Sequence, residues 1–240
     1  MLIEGKNAVR QALEGESTIN KIMIDKNYQS RKDEIISLAY KNKVRVEFLP
    51  KIAMDKKSKT GHHQGYMAET VEFEYSSVEE ILSVSQEKGT LPFIVLLDGI
   101  EDPHNLGSII RVCECAGVNG LVIGKHRSAQ VTDSVMRISE GSANHLKISR
   151  VTNINNAIEK IKNQGVWTYA LELGGGDIYK SDLRGKLCLV IGGEDTGVNK
   201  LTREKCDGVI TIPMSGKVNS LNASVALGVG VFEAVRQRKA

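Results

Sequence analysis

The sequence predicts an α/β protein, with a mostly parallel sheet covered by helices and a smaller α/β unit in front of it. Three observations predict this. Apolar β runs at 93–97, 121–123, 166–171, 187–191 and 209–212 are mostly separated by helical patterns at 106–116, 131–139, 154–163 and 220–238. Such alternation puts helices on both faces of a parallel sheet. Charge is unevenly spread: residues 1–60 carry 13 Lys and Arg against 8 Asp and Glu, whereas residues 61–90 carry one Lys against six Glu. Finally, 240 residues, 41% hydrophobic and 25% charged, suffice for one large domain or two small ones with real cores.

In the first part, NAVRQALEG reads as a helix stopped by Gly15. KIMID (21–25) is a short β run, and RKDEIISLAYKNK is an amphipathic helix through Ile35, Ile36, Leu38 and Ala39. VRVEF (44–48) alternates like a strand, Pro50 opens another short helix, and 65–73 is a third strand candidate. The acidic stretch that follows has one amphipathic turn at Val78, Ile81 and Leu82 and ends in Gly89 and Pro92. The expected organisation is therefore a domain over 1–75, a linker over 76–91 and a second domain over 92–240.

Composition narrows the function classes. No apolar run approaches the roughly 20 residues of a membrane span, and the opening MLIEGKNAVRQAL lacks the apolar stretch of a secretion signal. Cys113, Cys115, Cys188 and Cys206 lack paired zinc-ligand spacing and are expected to be buried, reduced thiols in a cytoplasmic protein, with no metal site. A net charge of +3 permits a polyanionic partner without requiring one.

Ligands of parallel α/β sheets sit at the carboxyl ends of strands. Three polar segments stand there: DGIEDPHNLGSIIRVCECAG (98–117), IGGEDTGV (191–198) and IPMSGKVNSLNASVALG (212–228). Each polar residue in them has a plain structural alternative. Asn105 could cap the following helix, Arg111 could pair with Glu114, Glu194 could be a loop carboxylate, and Ser220 could cap the last helix. His104 suits a turn after Pro103 better than a general base. In the first part, Lys56, Lys57, Lys59, His62 and His63 form either a solvated basic loop or a set of RNA-phosphate contacts. Tyr66 and Phe48 are candidates for base stacking, with core packing the commoner role for a strand aromatic.

DPHNLGSIIR, IGGEDTGV and IPMSGKVNSLNASVA resemble, in order and spacing, the three signature motifs of the SpoU/TrmH-type RNA ribose 2′-O-methyltransferases of the SPOUT superfamily; the likeness extends through KHRSAQVT (125–132). IEGKNAV and HHQGYMA resemble, more weakly, the ribosomal-protein-like substrate-binding domain of bacterial 23S rRNA guanosine methyltransferases of the RlmB type. The resemblance implies a deep trefoil knot, S-adenosyl-L-methionine as methyl donor, a homodimer, and an RNA substrate, with 23S rRNA favoured over tRNA. It assigns cofactor contacts to Gly192, Ile212 and Leu221, with Gly193 and Met214 as further wall residues. It assigns the catalytic set to Asn105, Arg111, Glu194, Ser220 and Asn222. Asp195 departs from the pattern, standing where the family most often has Gly.

A guanidinium is effectively always protonated, so Arg111 is expected to stabilise a developing 2′-oxyanion and grip a phosphate rather than act as a base. Asn105 and Asn222 would orient Arg111 and the ribose, and Ser220 would hold the methionine carboxylate or the start of the last helix. The alternatives are a tRNA 2′-O-methyltransferase, or a non-catalytic RNA-binding protein of the same fold. A dinucleotide or class-I methyltransferase site at LELGGGD (171–177) fits poorly, because the full G-x-G-x-x-G is absent; that segment reads as a turn between sheet elements.

Overall fold

The computed structural model describes residues 2–14, 19–29, 33–70, 73–194, 196–217 and 220–239. They fall into two compact units, 1–74 and 75–240.

The first unit runs β1 (Leu2–Glu4), α1 (Lys6–Glu14), β2 (Ile19–Asp25), α2 (Glu34–Lys41), β3 (Arg45–Leu49), α3 (Lys51–Lys57) and β4 (Tyr66–Thr70). Its sheet order is β1-β4-β2-β3, with β2 parallel to β3 and antiparallel to β4. Period-two alternation divides the strands between two cores. Ile22, Ile24, Tyr66 and Ala68 join Val9, Ile35 and Ala39 on one face. Met23 and Met67 meet Met54 of α3 on the other. The helices expected before Gly15 and after Pro50 are present, but Gly15 itself lies outside the described residues. The third expected strand is described over Tyr66–Thr70, and 71–72 lie outside the described residues.

The second unit begins with α4 (Val78–Glu87). Residues 76–91, expected as a linker, are built into this unit. Ser77 and Glu80 form a reciprocal capping box, Ser76 bridges to Ser149, and Val78 and Ile81 are buried in the core. Glu79, Glu80 and Glu87, half of the acidic residues that suggest a connector, lie on the exposed face of the helix. After it come β5 (Phe93–Asp98), α5 (Pro103–Cys115), β6 (Gly120–Gly124), α6 (Asp133–Ile138), β7 (Lys147–Val151), α7 (Ile154–Lys162), β8 (Trp167–Asp177), β9 (Leu187–Gly192), α8 (Lys200–Lys205), β10 (Gly208–Thr211) and α9 (Ala223–Lys239).

The six strands lie in the order β10-β8-β9-β5-β6-β7, every neighbour parallel. Burial on both faces explains why β5, β6 and β9 are continuous apolar runs. Ile94, Leu96 and Val190 pack beneath α4 and α7 with Ile81, Ile158 and Ile161. From β5 the chain first proceeds to β6 and β7 on one side and later returns through β8 and β9 on the other, so the β5/β9 boundary is a switch point where a crevice opens. The LELGGGD segment, expected as a turn, is instead the second half of β8. It pairs with β10 across a register shift at Val209/Ile210. A side chain at Gly175 would collide with the Val209 backbone, so glycine is what lets these strands approach. Burial pushes the Cys113 and Cys188 thiols well above their usual range, and Cys206 up to about 12. Among the described residues no helix is long and apolar enough to cross a membrane.

Candidate active site

The crevice is organised by Asp98, the last residue of β5. Its carbonyl accepts from Gly193 N (3.2 Å) and its carboxylate from Asn199 N (2.9 Å), so one residue ties down both ends of the 193–199 loop. Within the loop Gly197 N donates to Gly193 O (2.8 Å). Gly192 allows this closure: a Cβ there would lie 1.9 Å from the Gly197 carbonyl carbon. Gly197 has φ +63°, and a Cβ on it would strike the Glu172 carboxylate. Asp195 lies outside the described residues.

The loop is one wall of a pocket of about 790 Å³, open mouth included. All five expected cofactor residues, Gly192, Gly193, Ile212, Met214 and Leu221, line it, as do Glu194 and Ser220. The wall formed by Leu171, Glu172 and Leu173 is not legible in the sequence, because the three glycines that follow them signal a turn where the chain is a strand. Among the described residues Glu172 Oε2 is buried without a hydrogen-bond partner, with the Arg203 guanidinium at 3.8 Å. An unspent carboxylate acceptor beside apolar walls suits a ligand with an apolar ring and donor groups or positive charge.

At the rim three side chains from three segments converge. Asn105 Nδ2 donates to Glu194 Oε1 (3.2 Å), Asn222 Nδ2 donates to the same oxygen (2.5 Å), and Asn222 Nδ2 also donates to Asn105 Oδ1 (2.9 Å). Capping determines which groups are free to meet. Asp102, not Asn105, caps α5, accepting from the His104 and Asn105 amides. Asn222, not Ser220, caps the start of α9, its Oδ1 accepting from Ser224 N and Val225 N. With that oxygen committed to the helix, the Asn222 amide is aimed at Glu194. The other Glu194 oxygen takes no protein donor among the described residues.

Arg111 stands apart from this network. Six residues along α5 from Asn105, it lies about 120° around and ~9 Å up the helix. Its guanidinium pairs with Glu140 at 2.8 Å, not with Glu114, both side chains being largely exposed.

In the first unit the basic loop is folded around Glu4. That carboxylate accepts from Ser58 Oγ, Thr60 Oγ1 and Lys59 N, and the two hydroxyls hold its pKa down at about 2. Lys56, Lys57, Lys59 and His62 remain exposed. His63 does not: it is 3% exposed, its Nε2 lies 2.8 Å from Asp55 Oδ1, and its Nδ1 accepts from Gly65 N. Both ring nitrogens are engaged within the protein, which removes it from the expected RNA contacts. Tyr66 is core: its hydroxyl donates to Asp33 Oδ2 (2.5 Å) and its ring stacks on Tyr28.

Comparison with known proteins adds an independent observation. A family model described as "SpoU rRNA Methylase family" matches residues 92–232, and one described as "RNA 2'-O ribose methyltransferase substrate binding" matches residues 2–76. The Bacillus subtilis putative TrmH family tRNA/rRNA methyltransferase YacO is 37% identical over 236 residues, covering 98% of this chain and 94% of its own. The crystal structure of the SpoU methyltransferase AviRb from Streptomyces viridochromogenes, in complex with AdoMet, superposes with a TM-score of 0.65 at 26% identity, covering 100% of this chain and 91% of that one. The A. aeolicus TrmH/SpoU tRNA modifying enzyme is 31% identical with a TM-score of 0.58, covering 68% of this chain and 81% of its own.

Proposed function

Because this chain belongs to the SpoU rRNA methylase family, we propose that it transfers a methyl group from S-adenosylmethionine to a ribose 2′-hydroxyl of ribosomal RNA. The observation that carries the reading is the convergence of Asn105, Glu194 and Asn222 at the rim of a pocket lined by all five expected cofactor residues. A purely RNA-binding role leaves that convergence without purpose.

The pocket residues fit the cofactor. Ile212, Met214, Leu221 and the β8 leucines offer apolar surface to an adenine, while Glu172 and Glu194 offer carboxylates to its positive charge and donor groups. When bound, the cofactor supplies an electrophilic methyl group. The chain's own residues then have separable tasks. Asn105 and Asn222 hold one Glu194 oxygen still, and the remaining oxygen accepts the 2′-hydroxyl hydrogen and fixes the direction of its lone pair. Arg111 supplies positive charge to the developing oxyanion or to an adjacent phosphate. Its exposed pairing with Glu140 is of a kind worth only about 0–1 kcal/mol, so an RNA phosphate displaces Glu140 at little cost. Ser220, exposed at the pocket wall, is placed to bind the methionine end of the cofactor.

Ribosomal RNA is favoured over tRNA by the substrate-binding match over residues 2–76, alongside the A. aeolicus tRNA-modifying enzyme's coverage of only 68% of the chain. A guanosine of 23S rRNA remains the target of choice. A homodimer is the favoured assembly, because Val225 and Phe232, seven residues apart on α9, are 52% and 48% exposed.

The test uses the full chain, labelled S-adenosylmethionine and total rRNA from cells lacking the gene. Wild type should methylate one site, mapped as a 2′-O-methyl nucleotide. Arg111→Ala should lower transfer at least ~100-fold while cofactor affinity by calorimetry is retained. Near-wild-type turnover of the variant overturns the role given to Arg111, and absence of transfer to any RNA overturns the function.

A further inference from the structure

We propose that a groove at the carboxyl ends of β5, β6 and β7 is a second binding site, one that holds one or two nucleotides of single-stranded RNA flanking the methylated residue. The proposal rests on the reading of the chain as an RNA methyltransferase.

The groove, of about 1580 Å³ with its mouth, lies on the far side of the 193–199 loop from the cofactor pocket, since Gly197 and Val198 line both. It is therefore reached without entering the pocket. It is also next to the chemistry: Thr196 and Glu101, both on its wall, lie two residues after Glu194 and four before Asn105.

Its charge suits a phosphodiester strand. Lys125, His126 and Arg127 follow one another along the loop after β6, all exposed, with Lys200 lining the groove from the start of α8. Among the described residues Lys125 and Arg127 form no ion pair, and Lys200 has only Glu204 at 3.9 Å. Two carboxylates also line the groove. Three full positive charges therefore face two negative ones, a net of +1, and the Asp98 carboxylate is partly turned to the Asn199 amide.

The cationic loop is held in shape before any ligand arrives. Gln130 Nε2 donates to Gly124 O (3.0 Å) and Ser128 O (2.9 Å), and Ala129 N donates to Ile100 O (2.8 Å). Arg127 is fixed in the left-handed region at φ 49°, a conformation a side-chain-bearing residue keeps only where its surroundings impose it. Asn155 also lines the groove, and its Oδ1 is buried without a hydrogen-bond partner among the described residues. An unsatisfied acceptor on a groove-lining side chain is completed when the carboxamide turns to a donor from outside, such as a base amino group or a 2′-hydroxyl. Lysine and arginine together with an unspent carboxamide are the combination that single-stranded RNA needs, backbone charge plus a base or sugar edge.

The test is the binding of a mixed-sequence single-stranded RNA of about 12 nucleotides carrying 4-thiouridine, with the full chain and saturating S-adenosylmethionine. Wild type should cross-link through peptides containing 125–127 or 200. Lys125→Ala/Arg127→Ala should bind at least about fivefold more weakly, with the slope of log K against log salt reduced by about 1.4, as for two lost phosphate contacts on a single strand. Asn155→Ala should weaken binding and leave that slope unchanged. Cofactor affinity should stay at the wild-type value in both variants, which separates loss of RNA contact from loss of fold. Wild-type affinity and salt slope in the double variant, or cross-links confined to residues 1–74, overturn the groove while methyl transfer by the wild type upholds the enzyme. Failure of the wild type to bind or methylate any RNA overturns both.

Discussion

Asn222 does two jobs with one side chain: its oxygen caps α9 and its nitrogen reaches Glu194 and Asn105. The two are separable by substitution. Serine caps a helix about as well as asparagine but has no amide to extend across the rim. Asn222→Ser should therefore keep the melting temperature within about 2 °C of wild type while lowering methyl transfer roughly 10–100-fold. Wild-type transfer in this variant would show that the three-residue network has no part in the reaction. The sequence placed Asn105, Glu194 and Asn222 in crevice loops because each follows a buried β run. It could not show that Arg111 faces Glu140, because 29 residues and a left-handed turn at Glu140 intervene. Nor could it show that His63 is buried, since its partner Asp55 sits on a separate helix, α3.

At the level of elements, the close passage of the 193–199 loop over the end of β9 is the feature most sensitive to volume. A single methyl at Gly192 would occupy the position of the Gly197 and Val198 backbones. Gly192→Ala should thus cost at least about 1–3 kcal/mol in unfolding free energy, and because the displaced loop is a pocket wall, weaken cofactor binding more than tenfold by calorimetry. Unchanged affinity would mean that the loop is not a cofactor wall. Long apolar strands such as β5 and β9 were legible because burial on both faces leaves an unbroken hydrophobic signature. Elements lacking that signature were not. β1 is three residues long, α4 is mostly acidic on its outer face, and the Leu-Gly-Gly-Gly tail of β8 has little strand propensity. That tail is a strand through pairing with β10, a tertiary cause that local sequence does not carry.

For the whole molecule, the exposed α9 face is where the proposed dimer closes. Wild type should sediment as a dimer and Phe232→Glu as a monomer, since a carboxylate cannot be buried unpaired in an apolar interface without a penalty of several kcal/mol; a wild-type sedimentation coefficient in the variant would place the interface elsewhere.

The rim contacts join residues 89, 117 and 28 positions apart. During synthesis, Asp98 and Asn105 must wait for partners at 193–199 and 222, whereas the amino-terminal sheet already has all its strands at residue 70. A nascent chain thus presents every strand of its first sheet long before Glu194 and Asn222, which complete the rim, have been made.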